Sequence, residues 1–331
     1  MDIVVSGIRP TGNLHLGNYF GALKSFVKMQ EENQCYFFIA DYHSLTTHPT
    51  PADLHGNVKT VLVEFLACGL DPEKATLYIQ SDLPETAELY LLLNMNAYIG
   101  ELERCTSFKE KIRTQPQNVN AGLLTYPTLM AADIIIHKAH KVPVGKDQEQ
   151  HLEMTRTFAN RFNRLYNVDF FPEPVAYNFG ENLVKIPGLD GSLKMSKSDN
   201  ENSSIFLADP AAVIRKKVMK AVTDSGTVDP GQPRSQGVVN LFDLMSYFSS
   251  PDTLNHFEHS YQSGTIRYGD MKKQLAEDII LFTSPFREKM ISLAADEFYL
   301  KKVAAMGADK ARASAAKTIR EIREIIGFKS F

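Results

Sequence analysis

The first half of the chain alternates short apolar runs with amphipathic segments, and this alternation restricts the possible folds more than any other feature. Ile3–Ser6, Tyr36–Ala40 and Thr76–Gln80 read as strands. Gly17–Gln30, Ala52–Ala67 and Thr86–Ile99 carry helical patterning between or after them. Strands separated by helices cannot close as hairpins, so they pair in parallel through crossovers. A further helix is expected over Leu123–Lys138, a short strand at Val142-Pro143-Val144, and a helix over Gln148–Tyr166. From Phe170 to Asp209 the residues Pro172, Pro174, Gly180, Pro187, Gly188 and Gly191 break regular structure. Beyond Pro210 the pattern is helical except for a loop at Asp224–Gln236. The segment Lys310–Ile326 is expected to bury Ala313, Ala316, Ile319, Ile322 and Ile326 on one face.

A length of 331 residues suffices for one large core and a smaller second domain. The net charge of −3 means that a nucleic acid would have to meet a local basic face, because the global field does not attract it. The only cysteines, Cys35, Cys68 and Cys105, are far apart and form no CxxC pair. They suit a reducing compartment and argue against a thiolate zinc site. His43, His48, His55, His137 and His140 lack neighbours that would complete a metal shell, so no metal site is expected. No leader peptide and no apolar run of spanning length are read, so the expected location is the cytoplasm, without a membrane.

Two constellations carry chemistry. The first is a glycine-rich turn after a strand and before a helix, Gly7-Ile8-Arg9-Pro10-Thr11-Gly12-Asn13-Leu14-His15-Leu16-Gly17-Asn18. Its glycines let a purine or phosphate approach the backbone, Arg9 and Thr11 offer a charge and a hydroxyl, and His15 and Asn18 share one face of the first helical turn. The turn is neither GxGxxG nor a Walker loop. The second is Lys194-Met195-Ser196-Lys197-Ser198, downstream of Gly188 and Gly191. Two ammonium groups and two hydroxyls around an apolar anchor suit a pyrophosphate leaving group.

PTGxLHLGN resembles the HIGH motif, and KMSKS is the other signature, of the class I aminoacyl-tRNA synthetases. Their spacing leaves no room for a large editing insertion, as in the tryptophanyl and tyrosyl subgroup. Asn18, in place of the last histidine of HIGH, resembles the tryptophanyl enzymes. The resemblance implies an α/β fold, a Rossmann-like doubly wound parallel sheet with a smaller all-helical C-terminal domain. The expected division is 1–200 catalytic, 201–292 anticodon-binding, and 293–331 a helical segment packing back on the catalytic part.

The choice of amino acid turns on Tyr126-Pro127-Thr128-Leu129-Met130-Ala131-Ala132-Asp133. On a helix Tyr126, Met130 and Asp133 share one face. Met130 offers a polarizable apolar surface where the tyrosyl enzymes carry glutamine, and the resemblance implies that Asp133 accepts an indole N–H. It further assigns His43, Val5, Gly7, Val142, Val144 and Gln148 to the tryptophan pocket. To ATP it assigns Arg9, Pro10, Thr11, Gly17, Asn18, Gly145, Lys146, Asp147, Val184, Ile186 and the run Lys194–Ser198. Val5 stands where several relatives have phenylalanine, and Arg9 where many have glutamine. His15, Asn18, Lys111, Lys194 and Lys197 are the expected catalytic groups. The implied partners are L-tryptophan, ATP with Mg²⁺ riding on its phosphates, tRNA(Trp), and a second copy in a homodimer. The alternatives are a tyrosyl-tRNA synthetase, an HxGH-type nucleotidyltransferase that does not use tRNA, and an RNA-binding relative without catalysis.

Overall fold

Five strands form one sheet in the order β3-β2-β1-β4-β5, with β1 Ile3–Ile8, β2 Gln34–Ile39, β3 Thr76–Ile79, β4 Lys141–Val142 and β5 Val175–Ala176. Every neighbouring pair is parallel. The structure is a computed structural model that describes residues 1–145, 148–177, 185–196, 201–224 and 228–328. The chain leaves β1 toward β2 and returns to its other side as β4, so the topological switch point falls at the carboxyl ends of β1 and β4. The α/β, doubly wound expectation describes this sheet.

Two compact units share the chain. The first comprises Met1–Gly12, Phe26–Gly180 and Asp296–Phe331, and the second Asn13–Ser25 and Glu181–Ala295. In the first unit, apolar side chains of β1, β2 and β3 meet those of the helices Pro84–Asn94, Ala121–Ile135 and Glu149–Tyr166 in one core. The C-terminal helix Glu297–Ile326 belongs to that core and lies so near β3 that a Cβ at Gly307 would sit 1.6 Å from the Leu77 carbonyl oxygen. Its buried face runs through Ala308, Ala311, Ala315, Ile319 and Ile322, whereas Ala313 and Ala316 are exposed. The sequence pattern placed Ile319 and Ile322 on the buried face but misplaced its alanines, because alanine is too weakly apolar to mark a face. His137, stacked on Tyr36 at 4.0 Å, bridges Tyr78 Oη and Ser314 Oγ, each at 3.1 Å, and so ties the helix to the sheet. Burial lowers its pKa to about 3.

The second unit is mostly helical, with helices Ala211–Met219, Gln236–Phe248, Pro251–Gln262 and Tyr268–Ala295. Tyr19 and Phe20 pack among Phe248, Phe282 and Phe286, with ring centroids 5.1–5.6 Å apart. These contacts group the Asn13–Ser25 segment with the later helices. Two expected helices are interrupted. Gly17–Gln30 is an α-turn at Leu16–Asn18, a π-turn at Tyr19–Leu23 and an α-helix at Lys24–Met29. Thr86–Ile99 is instead Pro84–Asn94, with a new helix at Ile99–Glu103.

Candidate active site

In the first unit the strand ends deliver the polar groups. Arg9 follows β1, His43 sits on the Asp41–Ser44 turn after β2, Gln80 follows β3, and Val144, Gly145 and Gln148 follow β4. Asp133, on the helix Ala121–Ile135, is 2% exposed. His43 Nε2 lies 2.8 Å from its Oδ2, and Gln80 Nε2 donates to its Oδ1 at 2.7 Å. Burial raises the Asp133 pKa above the ordinary carboxylate value, and the hydrogen bonds from His43 and Gln80 offset only part of that rise. An ionised carboxylate so held accepts only, and each oxygen retains room for a second donor.

Tyr126 lies about two turns before Asp133 on the same helix, its hydroxyl hydrogen-bonded with Ser107 and His151. Cys105 completes that buried cluster, its Sγ 3.1 Å from Ser107 Oγ and 3.4 Å from His151 Nε2. Burial pushes the Cys105 thiol up, but the hydrogen bonds of His151 and Ser107 outweigh it and hold the pKa at about 6. The Lys111 ammonium stands 4.3 Å from the centroid of the Tyr126 ring. Its pKa is lowered by burial and then by Arg9, while burial also lowers the pKa of Arg9. The buried Nε of Arg9 has no hydrogen-bond partner. Both cations are part-buried, and the charge of Arg9 disfavours that of Lys111, so an anion beside them would be stabilised. Beside them a cavity of about 430 Å³ is lined by Tyr42, His43, Tyr90, Tyr126 and Leu129, among others. Met130 and Val144 are half-buried against the core, and Val5 and Val142 lie within it. At Gly7 a Cβ would come within 2.5 Å of the Phe38 ring, so only glycine fits. Pro10 is buried and Thr11 exposed.

The second unit brings together the histidine turn and the described part of the lysine loop. His15 and Asn18 cap each other: the His15 N–H donates to Asn18 Oδ1 at 3.0 Å, and the Asn18 N–H donates to His15 Nδ1 at 3.2 Å. Accepting at Nδ1 fixes the tautomer with the proton on Nε2. The α-turn here is only three residues long, so its dipole adds little to the expected phosphate contacts. The residues flanking His15 pair with the strand-like run Ile205–Leu207, through Leu16 N–H to the Ile205 carbonyl at 2.9 Å and Leu207 N–H to the Leu14 carbonyl at 3.0 Å. Met195, fully buried, anchors the loop: its N–H donates to the Ile186 carbonyl at 2.7 Å, and its Sδ accepts the Ile205 N–H at 3.4 Å. A Cβ at Gly17 would lie 3.7 Å from Met195 Cβ and 2.9 Å from the His15 ring, so the turn and the loop meet at that glycine. Lys194 is exposed, and the Ser196 carbonyl accepts from Ser204 Oγ at 2.9 Å. Lys146, Asp147, Val184, Lys197 and Ser198 lie outside the described residues. The sequence pattern does not single out Gln80 and Ser107. Only Gln80 carried a signal, as a polar residue at the end of a strand.

A family model described as tRNA synthetases class I (W and Y) matches residues 2–284. The chain belongs to this family. A tryptophan–tRNA ligase of Porphyromonas gingivalis is 62% identical over 99% of this chain and 100% of its own length. One of Clostridium tetani is 42% identical over 98% and 95%. Among solved structures, the tryptophanyl-tRNA synthetase of Campylobacter jejuni, complexed with ADP and tryptophan, superposes with a TM-score of 0.88 at 34% identity, covering 98% of this chain and 99% of that one. This family's sheet and helical part agree with the two units described above.

Proposed function

We propose that this chain is a tryptophan–tRNA ligase. It activates L-tryptophan with ATP to tryptophanyl-adenylate and pyrophosphate, then transfers tryptophan to the 3′ end of tRNA(Trp). The observation that carries the choice of amino acid is the buried Asp133 carboxylate, oriented by two donors beside Met130 and Tyr126. An acceptor so fixed rewards an indole N–H and rejects a side chain that lacks one. In this reading His43, Tyr126, Met130, Val144 and Gln148 line the tryptophan pocket, with Val5, Gly7 and Val142 behind them.

The tryptophan carboxylate is already a nucleophile and attacks the α-phosphorus in line, so no general base is needed. Catalysis comes from positioning and from charge stabilisation. His15 Nε2–H and the Asn18 amide serve the phosphates. Arg9 and Lys111 supply positive charge in the first unit, and Lys194 and Lys197 in the second. Gly17, Gly145, Asp147, Ile186 and Ser196 hold the nucleotide. ATP arrives with Mg²⁺ on its phosphate oxygens.

The helical region 201–292 reads the anticodon. The protein works in the cytoplasm as a homodimer: Leu91, Met95, Tyr98 and Ile99 expose a run of large apolar side chains in the first unit, which a second copy would cover. The test is pyrophosphate exchange with each of the twenty amino acids. Tryptophan alone should support exchange. Exchange with tyrosine alone would overturn the reading.

A further inference from the structure

We infer that Gln80 is a specificity-determining positioning residue, which clamps the Asp133 carboxylate so that it presents a lone pair to the indole N–H. The inference rests on the tryptophan reading above and deepens it. Gln80 is 1% exposed and occupies the first position after β3, at the carboxyl edge where ligands bind in sheets of this kind. Its two ends are both spoken for. Oε1 accepts the Tyr42 N–H at 3.1 Å, and Nε2 donates to Asp133 Oδ1 at 2.7 Å. The reverse amide orientation would set oxygen against carboxylate and NH₂ against N–H, so the hydrogen-bond network admits one orientation only.

The Tyr42 N–H is also held by Asp41 Oδ1 at 3.0 Å, which makes the anchoring end rigid. The other donor to Asp133, His43, comes from a different strand end and takes the other oxygen. Between them the two donors fix the plane of the carboxylate, and a ligand N–H must approach along the remaining direction. Loss of Gln80 would leave the carboxylate free to rotate about the His43 contact and would favour its protonated form, which presents a hydroxyl donor where the ligand also has a donor.

The test compares tryptophan with its benzothienyl analogue, in which sulfur replaces the indole N–H, in pyrophosphate exchange by the full-length protein. Gln80→Met keeps the length and removes both hydrogen bonds. The wild type should prefer tryptophan by about 100-fold or more. In Gln80→Met that preference should shrink about tenfold through KM for tryptophan, with KM for ATP and kcat little changed. A rise in KM that is equal for both amino acids would mean a merely structural role and would overturn the inference. A wild type that does not discriminate would overturn the Asp133 reading itself.

Gln80→Glu supplies a second measurement should the methionine variant not fold. A protonated Glu can donate as the amide does, whereas an ionised one opposes Asp133. Its KM for tryptophan should therefore climb with pH relative to wild type. The other titratable groups around the pair, His43, Asp41 and Tyr78, are common to both proteins, so the difference between profiles belongs to the substituted pair. Parallel profiles would overturn the inference.

Discussion

The two units solve opposite electrostatic problems. The first buries the Asp133 carboxylate and holds each of its oxygens with a donor from a separate strand end. The second hangs an exposed lysine next to a fully buried methionine, so the charge is carried by a long side chain and the backbone beneath it is pinned. Discrimination between similar side chains needs a group that cannot adjust, because the energy gap comes from leaving it unpaired. Stabilising a departing pyrophosphate needs charge that can follow it, and an ammonium on four carbons does so.

Asp133→Ala tests the rigid side most severely. It should lower kcat/KM for tryptophan by roughly 10³–10⁴-fold, measured by pyrophosphate exchange, and abolish preference over the N–H-free analogue. A loss below tenfold would break the comparison. Lys194→Ala and Lys197→Ala test the cationic side. Each should cut kcat by about 10²–10³-fold, with KM for ATP nearly constant. Equal losses in kcat and in ATP affinity would make the lysines ground-state binders and erase the contrast.

The smallest effect concerns the burial on which the first unit depends. His137 is held neutral, with its pKa lowered from 6.5 to about 3 by burial. An unfolded chain binds that proton below about 6.5 and the folded one does not, so stability is present above that pH and is lost as pH falls toward 3. The slope is roughly 1.4 kcal/mol per pH unit for one such group. His137→Gln, which keeps hydrogen-bonding ends for Tyr78 and Ser314, should flatten the fall in Tm between pH 6.5 and 4. An unchanged slope would place the acid sensitivity elsewhere.

The sheet was legible because alternation and strand length are written in consecutive residues. β5 was not: two residues, Val175 and Ala176, are too few to show a period. The HIGH-like turn and the lysine loop were legible as motifs, yet nothing in their spacing pointed to Ile205–Leu207 as the backbone that joins them. That link is made by main-chain groups, which carry no residue signature. Tyr126 and Asp133 stood out by helical spacing, whereas their supports Ser107, His151 and Gln80 come from three other elements and meet them only in the fold. The broken helix at Tyr19–Leu23 escaped notice although Gly21 and two aromatic residues are weak helix formers, because the apolar pattern runs on through it. Its π-turn shows only in the hydrogen bonds.

The helix Glu297–Ile326 covers β3 but is made long after it. A ribosome adding roughly 5–20 residues per second needs on the order of ten seconds to go from β5 to the start of that helix. Throughout that interval the nascent first unit displays, without a lid, the core surface around Tyr78 that the helix shares through Ala311, Ala315, Ile319 and Ile322, a natural handle for a chaperone. A transcript cut short anywhere in the second unit would yield a chain that never hides this surface, and the proteolytic machinery that removes unfinished products would have a ready mark by which to find it.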